Sequence, residues 1–285
     1  MARDADDRSD RIHRPAGTSW HLLSVVSMSL LIVFALIIIV LIGSQVAYLV
    51  THRVTPAAFL KILTSRAVLS GIRLSLITSL TTLVLVLIFA IPIGYALSRY
   101  RFPGRSVIET LVDVPIVLPP VVIGLALLAF FGTGLGGMIK AGLAGAGWTL
   151  TSAIGIVMCQ FLVSISYCIR ATKASFDVVD RRLEGVALSL GCSPWGAFRR
   201  VTLPLARSGL LAGGIMAWAR AIGVFGPLMV FVGTGPRVQV MPTAMWLELN
   251  VGNIEVSFAI ALVSLTMAGA ALAFVHWLAP GRTWT

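Results

Sequence analysis

The stretch DRRLEGVALSLGCSPWGAFRRVTLP, Asp180 to Pro204, writes two short helices around a glycine. Asp180 can cap a helix start, and Leu183, Val186, Ala187 and Leu190 recur behind it at helical spacing. Gly191 suits a left-handed stop. Ser193-Pro194 starts again, with serine at the cap and proline at the first helical position. Trp195, Phe198 and Val201 form a second apolar stripe. Leu203-Pro204 is expected to interrupt that helix, because proline lacks an amide donor and clashes with the preceding turn. Two readings stand open: a hairpin lying on lipid headgroups, or a rigid knob that a cytoplasmic partner grips.

On either side of this stretch the chain is apolar. Of 285 residues, 58% are hydrophobic and only 12% charged, too few charges to cover a water-facing surface. Six regions have the roughly 20 apolar residues a membrane span needs: about Leu22 to Ile42, Leu74 to Ser98, Val114 to Phe131, Trp148 to Ile169, Gly209 to Val232, and Val256 to Leu278. The expected fold class is an all-α membrane protein of six transmembrane helices. Residues 1–20 are expected to be a cytoplasmic tail and 21–285 the membrane domain. The first run has no clear cleavage site and is expected to stay as a helix.

The net charge of +11 would suggest nucleic acid in a soluble protein. Here the charges lie between apolar runs, as the positive-inside rule predicts. With the N-terminus inside, the inner segments hold fifteen Lys and Arg and the outer loops five, namely Arg53, Lys61, Arg66, Lys140 and Arg237. Both termini are therefore expected in the cytoplasm. Only seven residues, ending in Gly281 to Thr285, follow the last span, so no regulatory domain is expected there.

Arg220 is the one charge deep within a span. It lies 11 residues past Gly209, about 17 Å along a helix, near the middle of a hydrocarbon core about 30 Å thick. A central arginine is costly and should face protein, water or a partner. It is either a transient anion contact or an anchor to backbone carbonyls or Glu255. Pro115, Pro119 and Pro120 favour a broken helix at the start of the third span, as a gate or pore lining or as a packing kink. Cys159, Cys168 and Cys192 have no disulfide or metal spacing, the four histidines are scattered, and no metal site is expected. Gly132-Thr-Gly-Leu-Gly-Gly137 matches G-x-G-x-x-G only formally and is expected to be a flexible turn. No G-x-x-x-x-G-K-[ST] nucleotide loop occurs.

The Asp180–Pro204 stretch resembles the cytoplasmic loop of permease subunits of type I ATP-binding-cassette importers, which reads E-A-A, then G, then L-P. Aligned on Gly191 and Leu203-Pro204, Gly185 stands where the family's Glu usually sits, with Val186 and Ala187 at the two Ala positions. Glu184 lies one residue earlier, where many members carry a second acid. The acidic contact to the ATPase therefore falls to Glu184 or is missing. Ser98-Arg-Tyr-Arg-Phe-Pro-Gly104 with Pro115-Ile-Val-Leu-Pro-Pro-Val-Val-Ile-Gly124 resembles the molybdate, tungstate and sulfate permeases. So does Ala219-Arg-Ala-Ile-Gly-Val-Phe-Gly226, where Val224 replaces a usual Glu, and so does Met241 to Asn253. The likeness covers about Ser70 to Leu278.

The resemblance implies a non-enzymatic permease in the bacterial inner membrane, working as a homodimer by alternating access. Its partners would be ATPase subunits, which bind ATP and Mg, and an extracytoplasmic substrate-binding protein. No cofactor and no nucleic acid are implied for this chain. ATPase coupling would fall on Asp180, Glu184, Gly185, Ala187, Gly191, Leu203 and Pro204. The implied cargo is molybdate or tungstate, then sulfate. Thiamine or ferric iron stands as an alternative, and an ion-driven secondary transporter as a remoter one. The latter would show inverted repeats and intramembrane acids, and neither is evident.

Overall fold

Long charge-free runs form helices because lipid cannot satisfy backbone donors and acceptors, so each segment must satisfy its own. The computed structural model describes residues 17–51, 56–235 and 239–278, and every regular element among them is helical. The expected tail up to Ala16, Arg53, Arg237 and the last seven residues lie outside the described residues.

The chain divides into two units at Thr55/Pro56. The first carries one helix, α1 (Gly17–Thr51), so the expected tail loses residues 17–20 to it. Apolar side chains from Leu30 to Leu41 are exposed along α1, as for a helix whose solvent is hydrocarbon.

In the second unit α2 (Pro56–Leu63) leads to α3 (Arg66–Arg99), then α4 (Arg105–Val117), α5 (Pro120–Gly132), α6 (Gly134–Gly145) and α7 (Ala153–Asp177). The elbow follows as α8 (Arg181–Ser189), α9 (Pro194–Ala197) and a π turn (Phe198–Thr202). Then come α10 (Leu203–Ile222), α11 (Gly226–Phe231), α12 (Met241–Val251) and α13 (Ile254–Leu278).

Helices α3, α7 and α10 pack lengthwise on one another, α5 lies on α11, and α12 on α13. Water drives none of this inside a membrane, so close backbone approach and interhelical hydrogen bonds must hold the helices together. A Cβ on Gly94 of α3 would fall 2.7 Å from the Thr172 methyl of α7. One on Gly213 of α10 would fall 2.6 Å from Ala171. Thr82 donates to Gln160 Oε1 at 3.0 Å, and Trp218 Nε1 donates to Ser79 at 3.0 Å.

The six expected regions are not six unbroken rods. Among the described residues three helices are long and apolar enough to cross a membrane alone: Ser24–Thr51, Val68–Arg99 and Ala153–Asp177. The third expected span is α4 and α5, bent by 110° where Pro119 and Pro120 follow Leu118. The fifth is divided at Gly223 between α10 and α11. The fourth starts later and runs further than expected. Ser152 caps it by accepting from Ile154 N, and Arg170 and Lys173 are helical rather than in a loop. The glycine-rich Gly132–Gly137 is no flexible turn either. Gly132 ends α5, Thr133 stands between, and Gly134, Gly136 and Gly137 lie in α6.

Candidate functional site

Two places gather the residues singled out in the sequence: the elbow from Asp180 to Pro204, and a cavity beside Arg220.

The elbow folds as its caps dictate. Asp180 Oδ1 accepts from Arg182 N at 2.9 Å. Gly191 sits at φ +87°, a left-handed value at which a side chain would be strained. Cys192 N then donates to Ala187 O and Gly191 N to Leu188 O, which satisfies the carbonyls at the end of α8. Ser193 Oγ accepts from Gly196 N at 3.1 Å, with Pro194 at the first helical position.

Leu203-Pro204 does not interrupt the second helix. Leu203 N donates to Phe198 O across a π turn, and helical backbone runs on into α10 with Pro204 in its first turn. The wider turn relieves the clash of the proline ring with the residues before it.

The faces of α8 are the reverse of those the apolar stripe suggests. Leu183, Val186 and Leu190 point outward, 46%, 57% and 80% exposed, and only Ala187 is buried. Gly185 also faces out, where an added Cβ meets nothing within 4 Å. In the second stripe Trp195 is exposed and stacks on Phe198, while Ala197 and Thr202 are the buried residues.

Glu184 faces inward. Its carboxylate accepts from Arg99 Nε at 2.7 Å, from Thr202 Oγ1 at 2.8 Å and from the Tyr95 hydroxyl at 3.1 Å. The Arg99 and Glu184 side chains are 6% and 15% exposed. Arg99 donates a second bond to Val179 O, and Arg181 bonds Ser98 O. Ser98 Oγ donates to Asp177 Oδ1 at 2.6 Å. Behind these bonds the Tyr95 ring meets Phe176 and Phe198 edge-on, at 5.4 and 4.8 Å. Leu203, Ala206 and Leu210 complete that cluster. The elbow is thus fixed to α3, α7 and α10 together. Sequence reasoning missed Arg99, Tyr95 and Thr202. The available signal was a cation in the last turn of an apolar helix, which needs an anion near it.

Arg220 and Pro120 come together, while Pro115 and Pro119 stay apart from them. A cavity of about 160 Å³ is lined by Pro120, Val163, Arg220, Gly223, Phe225 and Pro227, among others. The Arg220 guanidinium lies 5.6 Å from the centre of the Tyr167 ring. It has no hydrogen bond or ion pair among the described residues, so the anchor to Glu255 or to carbonyls is not formed. Pro115 lies inside α4, and Pro119 is the residue before α5. Val224, at the position of the resembled Glu, is buried among Ile123, Leu228 and other apolar side chains.

Known proteins agree with this architecture. The chain is 37% identical over 225 residues to a probable molybdenum ABC transporter permease protein of Haloferax volcanii, covering 79% of this chain and 80% of the relative. It is 35% identical over 211 residues to a molybdate/tungstate transport system permease protein of Thermococcus kodakarensis, covering 74% and 78%. The fold matches a chain in the crystal structure of a bacterial alginate ABC transporter bound to its periplasmic protein. That match has a TM-score of 0.68 and 17% identity over 91% of this chain and 93% of the other. Residues 90–284, well over half of the chain, match the family described as the binding-protein-dependent transport system inner membrane component, and the chain belongs to that family.

Proposed function

We propose that this chain is the membrane-spanning subunit of an ATP-driven importer for molybdate or tungstate, with sulfate as the next cargo. The single observation that carries the proposal is the elbow. A short helix bears an outward apolar ridge, Leu183, Val186 and Leu190, and is fixed from behind to three transmembrane helices. Membership of the family and the names of the relatives support the cargo.

Two copies of the chain form the pathway, with both termini in the cytoplasm. Each elbow seats in a groove on a separate ATPase subunit, which binds ATP and Mg. A substrate-binding protein delivers the oxyanion on the other side. The coupling residues divide by role. Asp180, Gly191, Leu203 and Pro204 shape the elbow, Glu184 and Ala187 fasten it inward, and Gly185 lies on the face offered to the ATPase. No carboxylate of α8 faces outward. The groove is therefore expected to grip by apolar contact, with acidic groups near the exposed Arg182 and Arg199.

The test is reconstitution with the ATPase and binding protein in proteoliposomes. ATP-dependent molybdate uptake is expected. Replacing Leu183 and Val186 by Ser is expected to abolish ATPase co-purification while the permease still runs as a folded dimer. Undiminished co-purification would refute the docking face, and absence of oxyanion uptake would refute the cargo.

A further inference from the structure

Two cavities follow one another along one face of α7. Val163 lines the smaller, which holds Arg220. Tyr167, Arg170, Ala171 and Ala174 line a larger one of about 590 Å³ between α4 and α7. These residues follow Val163 at i+4, i+7, i+8 and i+11, one helix face about 16 Å long. Tyr167 links them, lining the larger cavity while its ring carries the Arg220 guanidinium of the smaller. It lies 14 residues from the start of α7 and 10 from its end, about the middle of the helix.

The two cavities differ in charge. Arg220 is exposed in the single chain and has no counter-ion among the described residues. At that depth an arginine does not face hydrocarbon, so it faces a water-filled path or a second copy. In the larger cavity every cation is matched. Arg170 makes a two-pronged bond to Asp113, and Lys173 lies 3.6 Å from Glu109 and 3.4 Å from Asp177. Arg105 also pairs with Glu109, at 3.0 Å.

We propose that Arg220, backed by Tyr167, is a transient binding point for a tetrahedral oxyanion midway through the membrane, and that the balanced cavity between α4 and α7 is its exit. The inference rests on the oxyanion reading above. A guanidinium offers two parallel donors to adjacent oxygens of such an anion. The cavity is far larger than the roughly 10–15 Å³ that one water needs. Two copies of the chain supply two arginines, the charge of one oxyanion dianion. One arginine per chain, shared with an aromatic ring, holds the anion weakly. The carboxylates of Asp113, Glu109 and Asp177 leave no net positive charge to trap it beyond Tyr167.

Uptake and ATPase stimulation measured together in proteoliposomes test the inference. Arg220→Gln is expected to lower molybdate uptake about tenfold, while the complex still forms and loaded binding protein still stimulates ATP hydrolysis. Arg220→Lys should recover part of the uptake. If the unaltered chain carries no oxyanion, the cargo reading fails. If it carries molybdate and Arg220→Gln does so equally well, the present inference fails. Met216→Cys in a Cys192→Ser background leaves Arg220 in place and reports on the exit, since Met216 lines the larger cavity and is exposed. Saturating molybdate during turnover should slow its modification by a membrane-impermeant thiol reagent. An unchanged rate would overturn the exit route even if Arg220→Gln failed to assemble.

Discussion

Glu184 shows how far one side chain's direction alters a reading. From the sequence it is an acid on a short amphipathic helix, free to reach a partner. In the fold its carboxylate is closed in by Arg99, Thr202 and Tyr95. A carboxylate with three donors and little water is strongly held, and removing its cation leaves a charge poorly compensated. Arg99→Ala is therefore expected to destabilise the elbow by about 2–3 kcal/mol. Glu184→Gln should cost less, because an amide oxygen at the Oε1 position still accepts from Arg99 and Thr202, and the amide NH2 at the Oε2 position can donate to the Tyr95 hydroxyl oxygen. Hydrogen exchange over residues 181–204 in nanodiscs measures both. Exchange equal to the unaltered chain in Arg99→Ala would show that the pair contributes nothing. The chemistry was legible at both positions, but the pairing was not. It joins residues 85 apart in the chain, and no local pattern carries that distance.

At the scale of elements the caps were the most legible feature. Asp180, Gly191, Ser193 and Pro194 each do what their residue type implies, because a cap is a local bond between neighbours. The faces of the helices were not legible. An apolar stripe signals burial only where the alternative is water. Leu183, Val186 and Leu190 instead face outward, and lipid, a partner protein and a core all favour the same residues. Pro204 departs from expectation for a different reason: a π turn over Phe198–Thr202, just ahead of Leu203-Pro204, absorbs the ring. Two substitutions separate these cases. Gly191→Val places a β-branched residue at φ +87° and is expected to cost about 1–2 kcal/mol locally, with uptake lost before ATPase binding. Pro204→Ala keeps a helical backbone that is already formed and should change stability by less than about 0.5 kcal/mol. Equal losses in thermal unfolding and uptake for the two would mean that the proline sets the elbow as much as the glycine does.

Across the whole molecule, the number of apolar regions follows from hydropathy, but their continuity does not. Hydropathy measures solvent preference, whereas Pro119-Pro120 and Gly223 act on backbone geometry, the first bending one of the six regions by 110° and the second dividing another. The common core is α3, α7 and α10, and small residues let these helices approach one another. With lipid equally apolar on every side, the association of these helices rests on contact distance and a few buried polar bonds. Gly94 and Gly213 face α7 with no room for a side chain, whereas Gly142 of α6 has nothing within 4 Å of an added Cβ. Gly94→Leu and Gly213→Leu should each force α7 from its neighbour and cost at least the roughly 1–3 kcal/mol of an overpacked core. Gly142→Ala should be neutral or slightly stabilising through its helix preference. Thermal unfolding in detergent, followed by size-exclusion profile, discriminates among them. Because the elbow hangs from the same three helices, the two damaging variants should also lose ATPase binding without any change to α8. A variant that unfolded early yet still bound the ATPase would show that the elbow holds its shape independently of the helices behind it.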